Sequence, residues 1–140
     1  MTYTTVLPIW NATRGRFQKT VEGLPEQDLK LQLGKSTIAS LIHHTAEVEY
    51  MFAEWFFCKS KSEEIAKPCF TNLAELVDLL SASNEYLLEA MIELPDEDWH
   101  KSMESPIGAS TPLEAVGRLM YHTGIHAGQI SLIQKNGQAK

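Results

Sequence analysis

Apolar residues recur at helical spacing in four stretches of the chain. Val6, Ile9, Trp10, Thr13, Phe17 and Val21 mark the first, which the spacing places from about Thr4 to Val21, closed by Gly23 and Pro25. Pro8 suits a first helical turn and marks an alternative start. The second opens at Ser36, whose hydroxyl can cap free N–H groups, and runs to about Lys59 through Ile38, Leu41, Ile42, Ala46, Val48, Phe52, Trp55 and Phe56. The third begins near Thr71, with Asn72 as an alternative cap, and continues to about Glu93. The fourth opens on Thr111, with Pro112 at its first position and Glu114 three residues after the cap, and ends near Gln134, before Asn136 and Gly137.

The pattern predicts no strand of useful length. Between Leu94 and Ser110 a connector with Pro95, Pro106 and Gly108 is long for a bundle loop, and is expected to pack across one end or form a lid. Four amphipathic helices in one small chain predict an all-α four-helix bundle, a single domain over residues 1–140.

The chain also repeats itself faintly. Leu24-Pro-Glu-Gln-Asp-Leu29 echoes Leu94-Pro-Asp-Glu-Asp-Trp99 at an offset of 94 − 24 = 70 residues, and each copy precedes a helix carrying His-Thr, at His44-Thr45 and His122-Thr123. The two helices align only with an insertion. A duplication would place the second and fourth helices in equivalent positions and bring their histidines together about a pseudo-twofold axis.

Composition narrows the class. A chain of 140 residues buries roughly two-thirds of its unfolded surface, enough to fold without disulfides. Cys58 and Cys69, its two cysteines, lack a CxxC spacing and read as reduced, inert thiols of a reducing compartment. No leader segment and no transmembrane run is apparent, which points to a cytoplasmic protein with no membrane partner. A net charge of −6 argues against nucleic acid, whose binding requires many phosphate-neutralising Lys and Arg, and favours a small-molecule or protein partner.

The candidate chemistry lies in histidines. His122 and His126 are spaced i,i+4, on one face of a helix with Cβ atoms about 5–6 Å apart. A third imidazole from a helix packed 8–10 Å away, as helices usually are, can join them, and His44 is the natural candidate. Three imidazoles leave a coordination position open for water or substrate, as in catalytic zinc sites. A helix-face histidine pair can equally be a hydrogen-bonded core pair, and spacing alone leaves both readings open. No Glu stands where the HExxH protease motif needs it.

The run His122-Thr-Gly-Ile-His126-Ala-Gly-Gln129-Ile130 resembles the HxxxHxGQI signature of the DinB superfamily. Ser36 to His44, with Glu47 and Glu49 after it, resembles the family's earlier motif with a lone His on the second helix, and Trp10-Asn11 resembles its first helix. The resemblance covers nearly the whole chain. It implies a DinB-like four-helix bundle with unusual connectivity, often a homodimer, with one divalent metal ion on His44, His122 and His126. It selects His44 over the adjacent His43, which then lies about 100° away at a boundary or on the surface. Relatives implied by the resemblance include transferases and isomerases that use low-molecular-weight thiols.

Other residues carry weaker signals. Glu47, one turn after His44, could act on a metal-bound water or orient an imidazole; a solvated carboxylate is the plain alternative. Gln129 could support His126. Gly124 and Gly128 cost about 1 kcal/mol each in a helix, which close packing of a neighbouring helix would explain. His100, in the connector, is expected to be exposed. The aromatics Tyr50, Phe52, Trp55, Phe56 and Phe57 read first as core; they surround more of the second helix than one core face needs, so a dimer interface is a second reading. Two functions compete. One is a metal-dependent transferase or hydrolase of a small molecule, with a low-molecular-weight thiol as candidate co-substrate. The other is a non-catalytic, dimeric, stress-related bundle stabilised by its metal. Imidazoles suit zinc, nickel, iron and copper alike, with zinc or nickel expected first and iron next.

Overall fold

The computed structural model describes residues 1–59 and 72–139. Four long helices dominate: α1 (Thr2–Glu22), α2 (Ile38–Phe56), α3 (Leu73–Glu93) and α4 (Pro112–Asn136). Their caps explain where they start. On α4 the Thr111 hydroxyl accepts the Glu114 N–H at 3.1 Å while the Glu114 carboxylate accepts the Thr111 N–H at 2.8 Å. The same reciprocal pair at Thr37 and Ser40 starts α2 one residue later than the Ser36 expected. Asn72 caps α3 by accepting the Glu75 N–H at 2.9 Å; the alternative cap Thr71 lies outside the described residues.

The bundle is all-α apart from one small sheet. Leu31–Leu33, Ser36–Thr37 and Gln138–Ala139 form a three-stranded antiparallel sheet, β1, β2 and β3, in the order β2-β1-β3. Its strands have three, two and two residues, too short to show an alternation. Gly34, at φ 63, turns the hairpin. Gly137 leads from α4 into β3, where a Cβ would sit 2.6 Å from the Ile133 carbonyl oxygen, so only glycine fits.

The repeat is structural. Glu26–Lys30 and Asp96–His100 are both 3-10 turns entered through a proline, and both bury their fourth residue, Leu29 and Trp99. Each turn caps the first helix of the other half. Asp96 accepts the Thr2 N–H at 2.5 Å at the start of α1, and Glu26 accepts the Leu73 N–H at 2.9 Å at the start of α3. The Asp96 carboxyl is held below its usual range chiefly by that backbone hydrogen bond. After its turn the connector forms a bridge between Met103 and Ser110, so it packs as structure rather than hanging free as a lid.

Helix α2 packs against α3 and α4, and α1 against α3 and α4, which places consecutive helices α1 and α2 across the bundle diagonal. The core is divided. Trp10, Phe52, Leu87 and Leu119 belong to one apolar cluster, and Phe17, Ile42, Leu80 and Ile130 to another. Between them along the helices lie buried polar residues: Arg14 on α1, Glu49 on α2, Ser83 on α3 and Thr123 on α4. The Arg14 guanidinium holds Glu49 through Nε–Oε2 at 2.5 Å and Nη2–Oε1 at 3.1 Å, and also donates to the Leu80 carbonyl at 2.8 Å. Ser83 donates to Glu49 at 2.6 Å. A buried charge pair needs such complete hydrogen bonding to offset its desolvation.

Tyr50, Phe52, Phe56 and Phe57 are buried within the chain's own core, the first of the two readings, and Trp55 is half-buried. A Cβ added at Gly124 or Gly128 would meet nothing within 4 Å, so the close packing expected of a neighbouring helix is not found there among the described residues.

Candidate metal centre

His44 projects from α2, and His122 and His126 from α4, which packs beside it. One nitrogen of each ring lies within 4.8 Å of the others, and among the described residues this is the group suited to hold a metal ion. Bonds of about 2.0–2.1 Å at a tetrahedral angle would set such nitrogens about 3.3 Å apart, within reach of small ring rotations. The ring centroids are 5.1 Å apart for His44 and His122, 5.3 Å for His44 and His126, and 4.3 Å for His122 and His126. The two α4 imidazoles face each other through their Nε2 atoms at 2.9 Å. His43, one residue before His44, is half-buried and stays outside the group, as the motif alignment requires.

The outer nitrogens are oriented. His126 Nδ1 donates to Gln129 Oε1 at 2.6 Å, and His44 Nδ1 donates to Glu47 Oε1 at 3.2 Å. Those bonds put the proton on Nδ1 and leave the Nε2 lone pair for the centre, the tautomer that metal binding needs. His122 differs: its Nδ1 is buried with no hydrogen-bond partner among the described residues. Burial, then the neighbouring His126 and His44, push its pKa down to about 4. Burial likewise lowers the His126 pKa, against the Gln129 hydrogen bond that raises it, with His44 lowering it further. The two α4 imidazoles are therefore neutral at pH 7 with lone pairs available, the form that binds a metal. The residues fit the ion.

Sequence reasoning placed these three histidines, Glu47 and Gln129. It missed Arg14 and the burial of Glu49. The signal was present: Val6, Trp10, Phe17 and Val21 leave position 14 inside the apolar stripe of α1, and a charge there calls for a buried partner. His100 is exposed, as expected. Cys58 is exposed, and Cys69 lies outside the described residues. Among the described residues no helix is long and apolar enough to cross a membrane.

The sequence model of the DinB superfamily matches residues 9–130. A DinB-like protein from Bacillus cereus ATCC 10987 superposes with a TM-score of 0.73 at 18% identity, over 96% of this chain and 93% of its own. The DinB-like protein YjoA of Bacillus subtilis gives a TM-score of 0.73 at 14% identity, over 97% and 96%. At these identities the likeness is one of fold. No curated protein matches the chain.

Proposed function

This chain belongs to the DinB superfamily, and from that premise we propose that it is a metal-dependent enzyme, a transferase or hydrolase of a small molecule, with its ion on His44, His122 and His126. The observation that carries the reading is the donor set: three converging imidazoles without a fourth protein ligand among the described residues. A divalent ion held this way supplies a Lewis acid that makes a water or thiol nucleophilic near neutral pH. A low-molecular-weight thiol is the proposed co-substrate, and zinc or nickel the proposed metal, with iron next. Glu47 and Gln129 hold ring tautomers. Glu47 is 38% exposed at its side chain, so its second carboxylate oxygen can also serve a proton transfer at the open position.

The proposed setting is the cytoplasm and the proposed assembly a homodimer. What supports the dimer is the outward face of α4, where Leu113, Tyr121 and Leu132 are exposed and the Cβ positions of Gly117, Gly124 and Gly128 are open. The competing reading is a metal that only stabilises a non-catalytic bundle.

Metal analysis of protein purified without a histidine tag, followed by zinc titration of His126→Ala under circular dichroism, tests the proposal. We expect about one metal per chain, and a variant that loses affinity yet stays helical. A variant that unfolds would make the metal structural, because metal binding would then be folding free energy. Turnover of thiol and electrophile by the metal-loaded protein, absent in the variant, is the direct readout of catalysis.

A further inference from the structure

Beside the imidazoles the surface holds a hollow of about 370 Å³. Its lining includes Met51, Phe52 and Trp55 of α2, Ile107 of the connector, and Tyr121 and His122 of α4. A larger hollow, about 730 Å³, is lined by Glu26, Lys30, Asn72 and Ala139 and contains none of the three imidazoles. The smaller one borders His122, and a molecule at the metal centre would enter there.

Its lining is mostly apolar, with Tyr121, His122 and one cation as its polar side chains. Arg118, one turn before His122, is half-buried, and its guanidinium carbon lies 5.9 Å from the centre of the Phe52 ring. A guanidinium carries five N–H groups. One of them goes to the Ser110 hydroxyl at 2.5 Å. Among the described residues no carboxylate lies within ion-pair distance of Arg118. Glu114, one turn earlier on the same helix, is turned to the Thr111 N–H. Glu114 feels the charge of Arg118 but makes no ion pair with it, so among the described residues this half-buried guanidinium, beside an apolar recess, keeps N–H groups that suit an anion with an apolar body of its own. A planar guanidinium matches a carboxylate two bonds at a time.

We propose that this hollow binds a small apolar carboxylate, its charge on Arg118 and its hydrocarbon or aromatic body against Met51, Phe52 and Trp55. Arg118 and His122 are one helical turn apart, so the body of such a ligand lies beside the imidazole cluster. This names the substrate class of the proposed enzyme and rests on that reading for what is done to the ligand; binding itself needs no metal.

Octanoate is the probe, with its neutral isostere octanamide and the cation octylammonium as comparisons, all on the full chain. Trp10 and Trp99 are fully buried, so Trp55 reports on the hollow by fluorescence. We expect saturable quenching by octanoate, about tenfold or more tighter than by octanamide, since a charge-assisted hydrogen bond is lost, and weakest with octylammonium. Arg118→Gln should abolish the preference for octanoate over octanamide, and Arg118→Lys should keep part of it. Trp55→Phe should remove the signal. Equal affinity for the three probes, no saturable binding, or a preference that survives Arg118→Gln overturns the proposal. The three-probe comparison on the unaltered protein decides even where a variant fails to fold. His126→Ala separates the two readings: octanoate binding should survive there although metal binding does not. Loss of the metal reading thus leaves this proposal standing, and absence of octanoate binding leaves the metal reading standing.

Discussion

His122 and His126 stand one turn apart on α4 with their Nε2 atoms 2.9 Å from each other, and His44 of α2 closes the group. Two nitrogens at that distance cannot both be protonated toward each other, so at least one lone pair faces the centre. Burial keeps both rings neutral at pH 7. The pair is preorganised for an ion by the helix that carries it.

The outer hydrogen bonds should be measurable in metal affinity. Losing an outer-shell partner of a metal-bound imidazole typically costs 10–100-fold. Glu47→Ala and Gln129→Ala should each weaken zinc binding by about that factor, whereas Glu47→Gln, which keeps an oxygen for His44 Nδ1, should stay within a few-fold. A competition titration with a chromogenic chelator reads this. Identical loss in Glu47→Ala and Glu47→Gln would mean that charge, and not ring orientation, is what Glu47 supplies.

Breaking the buried ion pair should be costly. Arg14→Met or Glu49→Met alone leaves an uncompensated charge in the polar layer, and each should destabilise by about 3–5 kcal/mol in urea unfolding. The double variant should recover much of that loss, because two apolar side chains replace two desolvated charges. Additive losses would contradict a direct coupling.

Much of this architecture could be read from residue pattern alone, and the exceptions have physical causes. The helices were readable because caps such as Thr111 with Glu114 sit beside long apolar periodicities. The three imidazoles were readable through the resemblance of their motif. The sheet was not, because Leu31–Leu33 is a three-residue strand whose distant partner, Gln138–Ala139, is defined only by tertiary structure. Nor was the diagonal placement of α1 and α2, since periodicity shows that a face is buried and not against which helix. The Arg14–Glu49 link spans 35 residues and leaves only an anomalous charge in each stripe as its trace.

Acid should weaken the metal-free protein through His122. Its folded pKa of about 4 lies below the ordinary 6.5, so the folded state binds fewer protons than the unfolded one. The stability tied to the neutral ring is therefore fully present above pH 6.5 and is lost as pH falls toward 4. His122→Gln should flatten the decline in urea midpoint between pH 7 and about pH 5, a range above the titration of Asp96 and Glu114, whose carboxyls are held low. An unchanged slope would show that His122 is not desolvated in solution.

The open glycines of α4 should tell whether a second copy packs there. In an isolated chain, Gly124→Ala and Gly128→Ala should each stabilise by roughly 0.5–1 kcal/mol, since a methyl group meets nothing within 4 Å. In the proposed homodimer, close approach at these positions reverses the sign and weakens association. Sedimentation of the native chain and Gly128→Ala across a micromolar concentration series separates the cases; a native chain that stays monomeric at high micromolar concentration removes the dimer.

X-ray absorption spectroscopy of the untagged, zinc-loaded protein reads the ligand shell itself. We expect one zinc per chain with three imidazole nitrogens at about 2.0–2.1 Å and one solvent oxygen, and a two-imidazole shell in His44→Ala. Four protein ligands with no solvent, or a spectrum unaltered by His44→Ala, would contradict that shell.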